Sequence, residues 1–314
     1  MKTKTTIANP IYDVVFKYLM EDTEIAKLIL STIINEEIES LDFSPQENTI
    51  IIENRSLTVY RLDFSAKIRL PDKSYKQVII EIQKAKYSTD IMRFRRYLGE
   101  QYKKSTSVYY FHEEGKKRDK KRAIPILTVY FLGHKLDNVN IPVINVKRQY
   151  TDGITGKVLN AKEPFIESLT HDSYVIVIPE LNSERQSELE QMLGIFDQSL
   201  IVSDDHILLI NESDYPEKFK PIIRRLHMAT ASHEIRQQME AEDEIIEELQ
   251  DLERVIEEKN EALAEKDNAL AENKKKLAEN KKKLAENKKK LAENKKKLAE
   301  QQKIIEKLMQ ELKH

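Results

Sequence analysis

The stretch Arg61-Leu62-Asp63-Phe64-Ser65-Ala66-Lys67-Ile68-Arg69 alternates polar and apolar residues without a fault, and Val78-Ile79-Ile80-Glu81-Ile82-Gln83-Lys84, one turn later, is much more apolar, with four of its first five residues aliphatic. A period of two puts Leu62, Phe64, Ala66 and Ile68 on the buried face of a β-strand and Asp63 on the opposite, polar face. The second stretch reads as a strand buried on both sides in the interior of a sheet, interrupted by Glu81. Between them, Pro71-Asp72-Lys73-Ser74 has turn chemistry. Residue 72 is the midpoint of 63 and 81, so a symmetric hairpin sets Asp63 opposite Glu81, with Gln83 on the same face.

Directly opposed carboxylates on one face lie about 5 Å apart at Cβ and repel each other. A divalent cation shared between them converts the repulsion to attraction, and Mg²⁺ suits a few oxygen ligands with several retained waters. Gln83 adds an amide oxygen, as a ligand or as an orienting group for water. The same spacing is also met by an acidic hairpin pair with Asp63 in solvent and Glu81 joined to a Lys or Arg.

Outward from this hairpin, an amphipathic helix is expected over Tyr12 to about Asn35, and strands at Thr49–Ile52, Leu57–Leu70 and Gln77–Gln83. A helix follows from Ser88, a candidate cap, to about Ser105, then a strand at Ile124–Phe131. Strands at Ile144–Tyr150 and Val158–Leu159, joined across Asp152-Gly153, precede another at Tyr174–Ile178. Helices at Glu184–Gln198 and Glu217–Gln238 complete an α/β pattern that opens helix, three strands, helix, strand.

Asp63, the hairpin and Glu81-Ile82-Gln83 resemble the active-site half-motif of the PD-(D/E)XK nuclease superfamily, in the D…ExQ variant of the Rpn-like recombination-promoting nucleases, also called PD-(D/E)XK family transposases. Asn9-Pro10…Asp13-Val14-Val15-Phe16-Lys17 resembles that family's N-terminal D-x-x-F-K signature, Arg93…Tyr97 its R-x-x-x-Y helix, and Ile124-Pro125-Ile126-Leu127 its next core strand. The resemblance covers residues 8–180. It implies a restriction-endonuclease-like αβββαβ core, a mixed sheet flanked by helices, within a nuclease-like domain over residues 1–205. Residues 206–244 are expected to form a helical connector, and 245–314 a heptad-repeat helix or coiled coil.

The activity implied is that of an Mg²⁺- or Mn²⁺-dependent DNA endonuclease hydrolysing phosphodiester bonds, with Asp63, Glu81 and Gln83 as catalytic residues. Asp63 and Glu81 would hold the metal, with Asp13 as a further ligand from the first helix; Asp13 could equally bond Lys17 one turn later. One departure bears on activity: Gln83 stands where the family usually has Lys, and an amide orients water but neutralises no charge. Lys67, two pairs from Asp63 on the same face, or Lys84, after a bulge, would supply the missing charge. The alternative is a catalytically degenerate DNA-binding or scaffold protein.

Residues 93–122 hold eleven Lys/Arg against four Asp/Glu, interleaved with Tyr97, Tyr102, Tyr109, Tyr110 and Phe111. Arg93, Arg96, Lys116, Lys117, Arg118, Lys120, Lys121 and Arg122 are candidates for DNA phosphate contacts, which are sequence-independent and salt-sensitive. Glu113 to Arg122 also has the composition of a solvated loop.

Leu-Ala-Glu-Asn-Lys-Lys-Lys begins at Leu270, Leu277, Leu284 and Leu291, with a near copy at Leu298. Taking these leucines as the a column of a heptad, Leu249, Ile256, Leu263, Ile305 and Leu312 extend it. The d column reads Ile245, Leu252, Lys259, Lys266, Asn273, Asn280, Asn287, Asn294, Gln301 and Leu308. A parallel homo-oligomer through residues 245–314, tied at its apolar ends, is expected. A lone helix held by pairs such as Glu272–Lys276 competes with it. Residues 240–261 carry eleven acidic and two basic side chains, whereas each repeat has three Lys and one Glu. This segregation suits antiparallel stacking between molecules, contact with DNA, or a plain solvated face.

Across 314 residues there is no Cys, and 52 Lys+Arg nearly balance 54 Asp+Glu. The missing thiols exclude disulfides, Cys-ligated zinc, iron–sulfur clusters and a thiol nucleophile, and fit a reducing compartment. No apolar run reaches the ~18 residues of a membrane helix or provides a signal-peptide core, so an unprocessed cytoplasmic protein without membrane partners is expected. Gly153-Ile154-Thr155-Gly156-Lys157 is too short for a P-loop, and the seven His form no H-x-x-x-H pair.

Overall fold

The computed structural model describes residues 4–51, 58–84, 90–103, 108–111, 120–181, 184–202 and 204–311. The chain opens with β1 (Lys4–Ala8), α1 (Asp13–Met20) and α2 (Thr23–Ile34). The strands β2 (Ser40–Ile51), β3 (Thr58–Arg69) and β4 (Tyr75–Gln83) follow, then α3 (Asp90–Lys103). A ribbon of β5 (Val108–Phe111) and β6 (Lys120–Ala123) leads to β7 (Ile126–Leu132) and β8 (Val143–Val146). Next come a short hairpin of β9 (Tyr150–Thr151) and β10 (Val158–Leu159), α4 (Pro164–Glu167) and β11 (Asp172–Val177). The remaining elements are α5 (Glu188–Leu193), β12 (Ile207–Asn211), α6 (Lys220–Ala229) and α7 (His233–Glu311).

The protein is mixed α/β. Six strands form one mixed sheet in the order β2-β3-β4-β7-β11-β8, with β4, β7 and β11 parallel and the other pairs antiparallel. The parallel step from β4 to β7 runs through α3, as a parallel pair requires a crossover. Strand parity then gives the sheet two unlike faces. Phe64, Ala66, Ile68, Val78, Ile80, Val129 and Phe131 join the main core, with Val15, Phe16 and Leu19 of α1 and Ile29, Leu30 and Ile33 of α2. Phe16 sits at its centre, with ring centroids 5.8 Å from Phe64, 5.3 Å from Phe131 and 6.3 Å from Phe196. The other face has a smaller apolar cluster, in which Phe94 and Leu98 of α3 pack on Ile79, Ile126 and Tyr130.

The expected helix from Tyr12 to Asn35 is two helices. The Asp22 carboxylate accepts from Glu24 N and Ile25 N at 3.1 and 3.2 Å, so a local N-cap starts α2 where the apolar periodicity alone would run on. Asn35, at φ 52°, ends α2 in the left-handed region. The expected helix Glu184–Gln198 begins only at Ser187, whose side chain makes a capping box with Glu190, and passes into 3₁₀ turns at Gly194–Phe196 and Gln198–Leu200. Likewise Glu217–Gln238 divides into a 3₁₀ turn, α6 and the start of α7. The candidate cap Ser88 lies outside the described residues.

Two strand pairings have no counterpart in the expected pattern. β1 pairs antiparallel with β12, from Lys4 opposite Asn211 to Ala8 opposite Ile207, and β5 pairs with β6. The 206–244 segment is therefore more than a helical connector. It supplies β12, and Phe219, Ile222, Ile223, Leu226, Ile235 and Met239 are buried in the main core. Two compact units are distinguished, Met1–Leu249 and Gln250–His314. The second is helical throughout its described length, as the heptad pattern predicts. Among the described residues no helix is long and apolar enough to cross a membrane.

Candidate functional site on the polar face of the sheet

The β3–β4 hairpin has the register that its sequence predicts. Leu70 N donates to Ser74 O and Lys73 N to Leu70 O, with Lys73 at φ 64° and the Asp72 carboxylate accepting from Ser74 N and Oγ at 2.9 and 2.6 Å. The ladder runs from Arg69 opposite Tyr75 to Phe64 opposite Ile80. Asp63 and Glu81 are the next residue on each strand. Asp63 is described by its backbone, which faces Gln46 in β2.

On β4, Glu81 is only 3% exposed, and Gln83, of the same parity, is half-buried. A buried carboxylate between Ile80 and Ile82 is costly and needs polar partners. Ser65 is buried on the same face of β3, where Gln77 Nε2 donates to its Oγ. On the neighbouring strands Thr128 Oγ1 donates to Ser173 Oγ at 2.7 Å. This face is thus polar in a stripe across four strands and is covered by α3 through Phe94, whose ring meets Tyr130 edge-on at 4.5 Å. The end of α3 is tied down where Tyr102 Oη meets His171 Nδ1 at 3.0 Å. Burial first, and the nearby Arg148 guanidinium second, hold the His171 imidazole below its usual pKa. Arg148 is itself anchored by Asp172 at 2.8 Å and Glu167 at 2.9 Å.

Asp13 is placed elsewhere: it opens α1, which packs on the Phe64–Phe131 face, and its N–H donates to Glu242 Oε2 at 3.1 Å. Neither lysine considered as a replacement charge is directed at Glu81 by what surrounds it. Lys67 Nζ lies 4.6 Å from the centroid of Tyr75. Lys84 Nζ binds the Asp243 carboxylate and lies 3.7 Å from the centroid of Tyr12.

Lys84 belongs to a polar cluster beside the end of β4. Asp243 Oδ2 accepts from Tyr12 Oη at 2.9 Å and meets His206 Nε2 at 2.9 Å, while His206 Nδ1 lies 3.0 Å from Asp204. Burial raises the Asp243 pKa, but the Lys84 ammonium and the His206 and Tyr12 hydrogen bonds outweigh it and hold the carboxyl below its ordinary range. The Tyr12 phenol is pushed up by burial and by Asp243. No sequence signal marks this cluster, because Asp243 is 159 residues from Lys84 and 231 from Tyr12. Gly133 closes the same corner: its N–H donates to Gln83 O at 2.7 Å, and a Cβ there would lie 2.5 Å from Lys84 O.

Of the basic residues, Arg93 and Arg96 belong to α3, while Lys116, Lys117 and Arg118 lie outside the described residues. Lys120, Lys121 and Arg122 form β6, opposite Phe111, Tyr110 and Tyr109 of β5. Lys121 is exposed and Tyr110 is 69% exposed. The Tyr109 ring packs 5.5 Å from Tyr75, and Arg69 lies 6.0 Å from the same Tyr75 ring. Tyr75, Arg69 and Lys67 share strand parity with Glu81, so the basic ribbon meets the sheet on the face that carries the acidic residue.

Oxygen donors of the type Glu81 and Gln83 carry suit a hard cation such as Mg²⁺ or Mn²⁺. Among the described residues no group of three or more His, Asp or Glu is clustered for metal binding. Comparison with family models, curated proteins and solved structures finds no match to this chain.

Proposed function

We propose that this protein is a divalent-cation-dependent DNA endonuclease of the PD-(D/E)XK type, in its Rpn-like D…ExQ form. The observation that carries the reading is a buried glutamate, Glu81, on a sheet face whose far end bears Lys67, Arg69, Tyr75 and the Lys121–Arg122 ribbon. Asp63 and Glu81 would hold the metal ion, and Mg²⁺ or Mn²⁺, when bound, would supply an acidified water and charge neutralisation at the phosphate. Gln83 would orient water at the phosphate through its carboxamide. The ribbon binds the DNA backbone through Lys121 and Arg122 and positions it along the face. The order of α1, α2, β2, β3, β4, α3 and β7 supports this reading, since it contains the αβββαβ succession with a second opening helix and a ribbon added.

Nicking of supercoiled plasmid by the purified chain tests it. Cutting is expected with Mg²⁺ or Mn²⁺ and not with EDTA, and Glu81→Gln should lower it by about 10²–10³-fold. Equal cutting by Asp63→Ala sinks the assignment. Gln83 favours a second reading, a catalytically degenerate DNA-binding scaffold, because Lys67 and Lys84 are both held by other partners. DNA binding indifferent to metal, with no cutting under any condition, would select it.

A further inference from the structure

From Ile256 to Leu298 the a-column side chains of α7 are exposed. Leu252 at d is 49% exposed, and Ile256, Leu263, Leu270, Leu277, Leu284, Leu291 and Leu298 at a are 52–61% exposed. A stripe of this kind on a charged helix calls for another helix. Its flanks decide which. In each repeat Glu272 and its equivalents stand at c, four residues before a lysine at g, and Lys276 Nζ binds Glu272 at 2.7 Å within one helix. The e-position lysines, Lys274, Lys281, Lys288 and Lys295, have no carboxylate at the corresponding spacing. Both edges of the seam are therefore lined by lysine through all four repeats.

A parallel, in-register pair would set Lys276 against Lys281 of the second copy, Lys283 against Lys288 and Lys290 against Lys295, on both edges. It would also place Lys259 and Lys266 against their own equivalents in the seam. Each such contact repels, and e and g charges choose both partner and orientation. An antiparallel pair instead lays the Lys-rich repeats along residues 240–261, whose eleven acidic side chains, against two basic ones, include Glu242 and Asp243, already engaged by Asp13 and Lys84. The a–d register nearest to superposing the centres of the two blocks sets Leu284 of one copy against Leu252 of the other. The same register places Ile256 opposite Asn280 and Leu263 opposite Asn273.

We infer that α7 pairs with a second copy of itself antiparallel, centred near residue 268, so that the acidic root of each helix is covered by the Lys-rich repeats of the other. The occupant is fixed by charge complementarity within one chain, and the inference is independent of the nuclease reading. It replaces the parallel arrangement expected from the heptads alone.

The chain has no Cys, so single-cysteine variants of the full protein report the pairing directly. Leu252→Cys and Leu284→Cys, mixed and treated with a short bis-maleimide, should give a covalent dimer. Neither should link to itself when treated alone, because like positions are separated by about 48 Å at 1.5 Å per residue. Sedimentation of the unmodified chain should show a dimer that weakens as salt is raised toward about 1 M, where the Debye length falls to ~3 Å. Self-linking of either single variant, a monomer at all concentrations, or a dimer indifferent to salt overturns the proposal.

Discussion

The two faces of the β3–β4–β7 sheet are built from alternate residues of the same strands, yet they are organised by different physics. One face is filled with aromatic and aliphatic side chains, Phe16 touching Phe64, Phe131 and Phe196. The other keeps Ser65, Thr128 and Glu81 out of water under a thin apolar cover of Ile79, Ile126 and Phe94. The first face gains stability roughly in proportion to area removed from water. The second gives up part of that gain to retain polar groups that must all find partners. A fold that needed only stability would have no reason to place a glutamate in the middle of Val78–Ile82.

The largest effect that separates the two faces is expected from Phe16→Ala. Loss of its three ring contacts and the resulting cavity should cost about 3–5 kcal/mol in denaturant unfolding. Phe94→Ala removes a side chain just as large from a much smaller cluster and should cost less, about 2–3 kcal/mol. On the proposed endonuclease reading it should also weaken cutting by opening the Glu81 face to water. If Phe94→Ala proves as damaging as Phe16→Ala, the two faces are not energetically distinct.

Gly133→Ala tests the corner where they meet. A Cβ 2.5 Å from Lys84 O cannot be accommodated without moving the end of β4, and about 1–3 kcal/mol of stability should be lost. Gln83 should be displaced with it, so on the proposed endonuclease reading cutting should fall by more than the stability loss accounts for.

Asp243→Asn probes the cluster behind the strand end and should cost about 1 kcal/mol, discounted for the carboxylate's exposure. The Asp243 pKa is lowered by folding. Its contribution is therefore complete above the unfolded value of about 3.9 and is lost as pH falls through the folded value. The wild-type protein should lose more stability than the variant between about pH 4 and pH 2. The smallest effect belongs to His171, whose pKa is also lowered. Below about pH 6.5 the unfolded chain takes up the proton first, so stability should decline as pH falls from 7 to 5. His171→Gln should flatten that slope in thermal melts followed across the same pH range.

The hairpin was the most legible part of the molecule. Strand alternation assigned Phe64 and Ala66 to the core, and the position of Pro71-Asp72-Lys73-Ser74 set the register from Arg69 opposite Tyr75 to Phe64 opposite Ile80. The short hairpin around Asp152-Gly153 was legible only in part: Tyr150 faces Leu159 and Thr151 faces Val158, but the expected strand Ile144–Tyr150 is divided, and Val143–Val146 pairs with β11 in the main sheet instead. Helix ends were less so. At Asp22 and Ser187 a side-chain cap interrupts a periodicity that continues in the sequence. β12 was hidden because Ile207–Asn211 becomes a strand only by pairing with Lys4–Ala8, some two hundred residues earlier.

By itself the sequence determined which side chains share a face, where the chain turns and how the C-terminal heptads repeat, because these follow from the fixed geometry of strands and helices over a few residues. Only the tertiary structure decided that Lys84 turns to Asp243 and Tyr12, that α1 and α3 take opposite faces of the sheet, and that the basic ribbon reaches Tyr75. Those choices join groups far apart along the chain. They depend on which loops close and which surfaces bury together, and no local pattern records that outcome.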